Sequence, residues 1–425
     1  MSNVLLTISK ITNESLMILE NELTFASEIN REYDDQFAVE GAKIGDTVNV
    51  RRPGRFVGTT GPALNVEDLY ESSIPVVMGD TTKYGAQFHV DTQFTTKDLS
   101  LSLDMFSQRV LQPCIATIAN KIDLDGLLMA KNSTANITGV AGTPPTGLLT
   151  YLTAGALLDA EAAPRDGRRA VVVEPFTSAF IVDGLKGLFV PQEKISSQYI
   201  KGLMGRDSGG MNWKMDQNIA AHQFGSWATT ASTVTVNGGA QGLATGWASS
   251  STLSLNNAAN TLNLNKGDII YFANVFAVNP QNRQAYGSNR LRSFVVNADT
   301  NQVGAGNFNI SVSPALIYSG QFQNVTASPS AGATVTFFSL ATGTANEVVS
   351  PQNILFHKNA FTFVSADLPL PEGVYFAGRA SHKDIGLSIR VVRQYTINND
   401  SIPTRLDVLY GWAPLYQELA CRIAA

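Results

Sequence analysis

Between Ser226 and Ala345 lie 120 residues that hold only six charged side chains: Lys266, Asp268, Arg283, Arg290, Arg292 and Asp299. That is 5%, against 59 charges in the other 305 residues, or 19%. Ser, Thr, Asn and Gly fill the stretch, and apolar and polar residues alternate at Val234-Thr235-Val236, Thr261-Leu262-Asn263-Leu264 and Ile310-Ser311-Val312. Period-two alternation puts one face of a strand in a core and the other in water, and many short runs between turns build a sandwich or a barrel. Different patterns flank the stretch, so it is expected to be a β domain inserted into a host that it splits.

The host reads as mixed helix and strand. The chain has 425 residues, which at about 150 per domain suggests roughly three domains with room for a large core. In the first 40 residues, Leu16, Leu19, Leu23 and Ala26 recur at helical spacing among Glu14, Glu20, Glu22 and Glu28, which predicts an acidic helical arm in want of a partner surface. Lys43 to Asp46 is a turn signal, Thr47 to Val50 alternates as a strand, and Arg51-Arg52-Pro53-Gly54-Arg55 breaks it. Pairing resumes at Pro75 to Met78 and again where Ala86, Phe88 and Val90 oppose Gln87, His89 and Asp91. Some 25 polar, Gly/Pro-punctuated residues lie between, a length that is uncommon inside a compact domain unless a neighbour orders it.

Thr95 and Asp98 have capping-box spacing, and Leu103, Phe106, Val110, Cys114, Ile118 and Ile122 trace a stripe to about Ala130. Pro113 predicts either a kink in that long helix or a second helix with Pro113 in its first turn. Ala170 to Val173 is a short apolar strand, and Pro175 opens a helix from Phe176 to Leu185, which implies an α/β layer. Beyond the insert, Phe361 to Val364, Leu387 to Val391 and Arg405 to Tyr410 read as strands rejoining that layer.

Composition and motifs exclude several functions. A net charge of -5 and a pI near 5.5 argue against holding DNA by neutralising phosphates, which needs Lys and Arg in excess. Cys114 and Cys421 make neither a disulfide framework nor a zinc site, which suits a reducing compartment. The start MSNVLLTISK lacks the basic region of a secretory signal, and nowhere do about 18 apolar residues run together, so cytoplasmic synthesis and no membrane are expected.

Asp207-Ser208-Gly209-Gly210 and Ala220-Ala221-His222 look like the surroundings of the nucleophile and histidine in trypsin-like proteases. Here, however, His222 follows Ser208 by 14 residues, the reverse of that family's order, and no Gly-x-Ser-x-Gly elbow occurs. A serine hydrolase using Ser208 and His222 is therefore a weak alternative. Asp123-Leu124-Asp125-Gly126 lacks the further ligands of a calcium loop and reads as a carboxylate pair at a helix end. Phosphate-cradling and zinc-binding motifs are missing, and His89, His222, His357 and His382 stand isolated. No catalytic residue, cofactor or metal is expected. Arg51, Arg52 and Arg55 form a basic tip, either a solvated turn or a loop that reaches acidic surface on another subunit. With Leu16, Leu19 and Leu23 they are the candidate subunit-interface residues.

The order of elements and several strings resemble the major capsid (coat) proteins of tailed bacteriophages, most of all the P-twenty-two type. The strings are Gly45 to Pro53, the helix from Asp98 to Ala130, Leu264 to Ala273 in the insert, Asn353 to Phe361, Arg405 to Gly411 and Glu418 to Ile423. The resemblance implies an α+β, Hong Kong-type phage capsid fold with an inserted all-β barrel. Its parts would be an N-terminal arm at 1–40, an extended loop with flanking strands at 41–95 and the spine helix at 96–131. Peripheral and axial domains would be shared between 96–225 and 346–425, with the barrel at 226–345 and a loop within it, Asn237 to Ser251, as the candidate contact between capsomers. It implies hexamers and pentamers in an icosahedral shell around double-stranded DNA that is not read by sequence. It also implies a scaffolding protein, a portal protein and assembly in the host bacterial cytoplasm. An encapsulin-like compartment of the same fold is the second structural reading.

Overall fold

The computed structural model describes residues 8–34, 47–52, 54–62, 64, 66, 72–95, 110–184, 209–226, 234–258, 261–287, 289–338, 348–382 and 386–425. They belong to two compact units, one from Met1–Val50, Ile74–Met129 and Phe361–Leu415, the other from Arg51–Ser73, Ala130–Ala360 and Tyr416–Ala425.

The first unit is organised by the long strand Ser401–Pro414. It pairs antiparallel with Ala86–Thr95, Leu387–Arg393 and Phe361–Ala366. Strand Phe376–His382 extends the sheet on one side, and Asn30–Asp34 adds to the other in parallel. Ala86 is buried and Phe88 and Val90 are half-buried, while Gln87, His89 and Asp91 are exposed, as the alternation predicts.

Helix α1, Ile8–Glu22, lies on Phe376–His382 and Leu387–Arg393 and buries Leu16 and Leu19, and Leu23 just past its end is buried too. The arm is not helical throughout its first 40 residues. After Glu22 it turns through a short 3₁₀ segment, Ala26–Glu28, and becomes the strand Asn30–Asp34.

The cause lies in helix α2, Gln112–Ser133, which starts with Pro113 in its first turn. Residues 96–109, with Asp98, Leu103 and Phe106, lie outside the described residues. Asp123 is buried mid-helix rather than at a helix end. Its Oδ2 accepts from the backbone N–H of Thr24 at 2.7 Å and of Phe25 at 3.3 Å, and its Oδ1 from that of Ala26 at 3.0 Å. Those amides leave the α1 ladder because a carboxylate satisfies them instead. Two residues on, Asp125 accepts the Tyr410 hydroxyl at 2.7 Å and the Lys121 ammonium at 2.6 Å. Burial, followed by this bond to a carboxylate, pushes the Tyr410 hydroxyl far above the usual phenol range.

In the second unit a sheet runs Ile137–Gly139, Ala420–Ala424, Val349–His357, Arg169–Val173, Asn212–Met215, with Ala221–Gln223 paired to the start of Val349–His357. Arg169–Val173 is wholly buried, as its apolar run predicts. Helices α3, Leu148–Ala160, and α4, Pro175–Gly184, share its core: Tyr151, Leu158 and Ile181 pack with Val171, Val173, Leu355 and Ile423. The strands that rejoin this layer are Val349–His357 and Ala420–Ala424. Phe361–Ala366, Leu387–Arg393 and Ser401–Pro414 are strands as expected, but they build the sheet of the first unit. A local pattern marks a strand without naming its partner, because pairing is set by contacts distant in sequence.

Among the described residues the near-neutral stretch forms a six-stranded sheet in the order Val335–Phe337, Ile269–Phe276, Leu291–Val296, Gly306–Ser313, Ser251–Asn257, Val234–Val236, and a separate two-stranded one in which Thr261–Leu264 pairs with Thr300–Val303. A bridge between Thr235 and Thr334 joins the two ends, so the sheet closes into a barrel. Leu253, Leu255, Phe272, Phe294, Ile310 and Val312 fill it, while Thr252, Asn307 and Asn309 face out. Hydroxyls and amides keep that surface wet without charge.

Gly126 fixes how closely α2 approaches its neighbours. A Cβ there would stand 2.6 Å from the Trp412 ring and 2.9 Å from Phe25. Gly126→Ala is expected to cost about 1–3 kcal/mol by overpacking. Gly58→Ala, where nothing lies within 4 Å, should change stability by under about 0.5 kcal/mol in the same denaturant titrations.

Candidate functional site

Lys266 and Asp299 of the barrel's six charged residues meet locally, the Asp299 carboxylate accepting from the Lys266 backbone N–H at 2.6 Å. The other four reach out of the barrel sequence. Arg292 pairs with Glu161 at the end of α3, both of them buried. Arg290 donates to the Asn136 side-chain oxygen at 3.3 Å, and the Asn136 amide donates to the Glu418 and Ala420 carbonyls at 3.2 and 3.1 Å. Arg283 donates to the carbonyl of Phe56 in the extended loop at 2.8 Å. Asp268, fully buried, accepts the backbone N–H of Asn265 at 2.7 Å and of Gly225 at 3.2 Å and lies 2.9 Å from His222 Nε2.

The basic tip is drawn into the same region. Arg55 pairs with Glu418 at 2.5 Å and Arg52 with the same carboxylate at 3.6 Å. The Arg52 guanidinium also lies over the rings of Tyr416, at 4.4 Å, and of Trp247, at 5.6 Å. Trp247 belongs to Asn237 to Ser251, the barrel loop singled out from sequence. Arg51, by contrast, is exposed. Arg52 and Arg55 therefore clasp an acid of their own chain. Burial raises the Glu418 carboxyl, but Arg55 and then Arg52 outweigh it and hold the group below the usual range. At Glu161 burial prevails and pushes the carboxyl up, against Arg292 and Arg290.

The six interface candidates thus divide. Leu16, Leu19 and Leu23 are covered by strands of their own unit, Arg52 and Arg55 by Glu418, and Arg51 reaches the surface. Sequence reading missed Glu418, Trp247, Tyr416, Glu161 and Arg422. The available signal was scarcity: a charge kept in a segment nearly free of charges is kept for a contact.

Ser208 lies outside the described residues, while His222 is buried with its ring edge against Phe224 at 4.5 Å between centroids. Burial first, then the nearby Arg422 and Lys131 charges, drive its pKa far below the usual histidine range, so it is neutral. Burial pushes its partner Asp268 the other way, upward. A histidine this hard to protonate is a poor general base at neutral pH. Arg422, wholly buried, donates to the Gly267 carbonyl at 2.8 Å and completes the cluster. Among the described residues, no group of three or more His, Cys, Asp or Glu side chains could hold a metal ion, and no helix is long and apolar enough to cross a membrane.

Because its folded pKa is depressed, Glu418 contributes stability above about pH 4.5, and that contribution is lost as pH falls through the folded value. Glu418→Gln should flatten the acid limb of the thermal unfolding temperature plotted against pH. Arg52→Ala with Arg55→Ala leaves the partly buried Glu418 carboxylate without its two arginines, and should cost about 1–3 kcal/mol at neutral pH in denaturant titrations.

No curated protein matches the chain by sequence. Among solved structures, it is similar to a chain from Mycobacterium phage Che8 at 11% identity, covering 94% of this chain and 90% of that one with a TM-score of 0.44. The mature capsid of bacteriophage PhiM1 aligns at 10% identity over 94% and 86%, TM-score 0.43. The capsid of cyanophage P-SCSP1u aligns at 10% over 95% and 88%, TM-score 0.43. A family model described as "P22 coat protein - gene protein 5" matches residues 5–420, nearly the whole chain. The chain therefore belongs to the P22 coat protein family: it is a phage major capsid protein of the α+β, Hong Kong-type fold, a component of the virion's icosahedral shell.

Proposed function

We propose that this coat protein assembles with copies of itself as hexamers and pentamers, on a scaffolding protein and with a portal at one vertex, in the host bacterial cytoplasm. The shell encloses double-stranded DNA without reading its sequence. The observation that carries this reading is the extended loop. Its root is held by Arg52, Arg55 and Arg283, while Phe56, Leu64 and Val66 stand bare to solvent. Ordering such a loop costs entropy, and apolar side chains held out at Phe56, Leu64 and Val66 suit a surface that a neighbour covers. Many modest contacts of this kind, closed on themselves, make a stable particle.

The net charge of -5 fits a wall that confines DNA rather than grips it. The segments 1–40, 41–95, 96–225, 226–345 and 346–425 would serve as arm, extended loop, spine with the first part of the peripheral and axial domains, barrel, and their remainder. The buried, neutral His222 supports a structural role with no catalysis. Arg51, exposed at the basic tip, is placed in this reading where another subunit could reach it.

Expressed alone or with its scaffold, the chain should give closed megadalton particles in electron micrographs. A monomer under every assembly condition would count decisively against shell formation, and an enzyme cargo in place of DNA would favour a compartment shell. Arg51→Glu is expected to leave thermal unfolding within about 0.5 kcal/mol of the parent, as for other exposed positions, while lowering particle yield.

A further inference from the structure

The bend after the barrel strand Val234–Val236 carries a reactive pair. Asn237 is followed there by Gly238, and nowhere else in the 425 residues does glycine follow asparagine. The pairing matters because the carboxamide of an asparagine can be attacked by the backbone nitrogen of the next residue. A side chain on that residue obstructs the attack, and glycine has none. Helices and strands obstruct it too, because they hold backbone amides in fixed hydrogen bonds.

The folded bend lifts these obstacles. Asn237 and Gly238 are both exposed and belong to no helix or strand. The Gly238 N–H donates to no acceptor among the described residues. Its φ of +84° lies in the left-handed region, and nothing stands within 4 Å of where a Cβ would be. The Asn237 side chain is tethered by an exposed bond from its Nδ2 to Ser254 Oγ at 3.2 Å. Its backbone, by contrast, is held: the Asn237 N–H donates to the Ser254 carbonyl at 2.9 Å, and Gln241 Nε2 donates to the Asn237 carbonyl at 2.5 Å. Asn282 and Asn398 are exposed as well, but Arg283 and Asn399 follow them.

We propose that Asn237 with Gly238 is a modification site at which the folded chain deamidates itself. The Gly238 nitrogen bonds to Asn237 Cγ, the Cγ–Nδ2 bond breaks, and Nδ2 leaves as ammonia with the proton from the Gly238 nitrogen, so that a cyclic imide closes. Water then adds to one imide carbonyl and the ring opens. Opening at Cγ leaves an ordinary aspartate, and opening at the main-chain carbonyl leaves an isoaspartate, whose main chain runs through the side-chain carbon. Water is the reactant consumed, and nothing is oxidised or reduced. Either product adds a negative charge to a segment whose acids are Asp268 and Asp299. Isoaspartate also lengthens the main chain next to Val236, whose N–H and carbonyl bond to Ala333 and Gly332 at 2.9 Å each, beside the Thr235–Thr334 bridge that closes the barrel.

Peptide mapping by mass spectrometry tests the site on the intact chain. Kept folded at mildly alkaline pH in water enriched in heavy oxygen, the chain should convert Asn237 at least tenfold faster than Asn282 or Asn398, with heavy oxygen taken up and both acids formed. Gly238→Ala should slow the conversion at least tenfold. Asn237→Gln, which keeps the turn glycine but places the carboxamide one carbon further out, should slow it as much. Conversion at Asn237 no faster than at Asn282 and Asn398 overturns the site. Conversion seen only in urea overturns it too, since the folded bend then protects the pair. An unchanged rate in Gly238→Ala overturns the route through the Gly238 nitrogen.

Discussion

One carboxylate decides the path of the chain's first segment. Asp123 stands in the middle of α2 and takes three backbone amides from Thr24, Phe25 and Ala26, residues nearly a hundred positions away. Buried amides without acceptors each cost on the order of 1–3 kcal/mol, and bonds to an ionised acceptor are stronger than neutral ones. The helix of the arm can therefore stop at Glu22 with its loose ends satisfied, and the following residues can run as the strand beside Phe361–Ala366. With the turn fixed, Phe25 stacks on Trp412 at 5.4 Å between centroids, and Trp412 in turn meets Phe363 at 4.9 Å. A helix, an arm and the central strand of a sheet are locked by one short stretch, Asp123-Leu124-Asp125-Gly126.

The second unit follows a different economy of charge. Its barrel surface is wetted by amides and hydroxyls, and four of its six charged residues make contacts outside its own sequence. Removing one member of such a buried pair strands the other, whereas an exposed ion pair can vanish almost without effect. Arg292 with Glu161 is of the first kind. Arg165 with Asp159, on the surface, is of the second.

Much of this was legible in the residues. Alternation identified Val234–Val236 and 310–312 of the barrel sheet, the separate strand Thr261–Leu264 and the strand Ala86–Thr95, and the placing of Pro175 marked a helix start. Partnership was not legible. Asp123-x-Asp125 looks like a helix-end pair because its acceptors lie far away in sequence, and Phe361–Ala366 reads as a strand without revealing which sheet receives it. The basic tip was visible as a tip, but its counter-ion Glu418 lies 363 residues beyond Arg55. Periodicity reports which face of an element is apolar, and only the folded chain reports what lies against that face.

The closure of the barrel also bears on how such a chain could have come to be. Gln223, just before the insert, pairs with Val349, just after it, and the Phe224 amide donates to the Val348 carbonyl at 2.9 Å. To the host sheet, the whole barrel is thus the turn of a hairpin. The entropy of closing a loop grows only with the logarithm of its length, so a turn of a few residues could become one of more than a hundred at a cost of a few kcal/mol, and the register of the host strands would not notice. A shell protein with such a port can acquire, lose or exchange an inserted module while the host sheet around it stays the same.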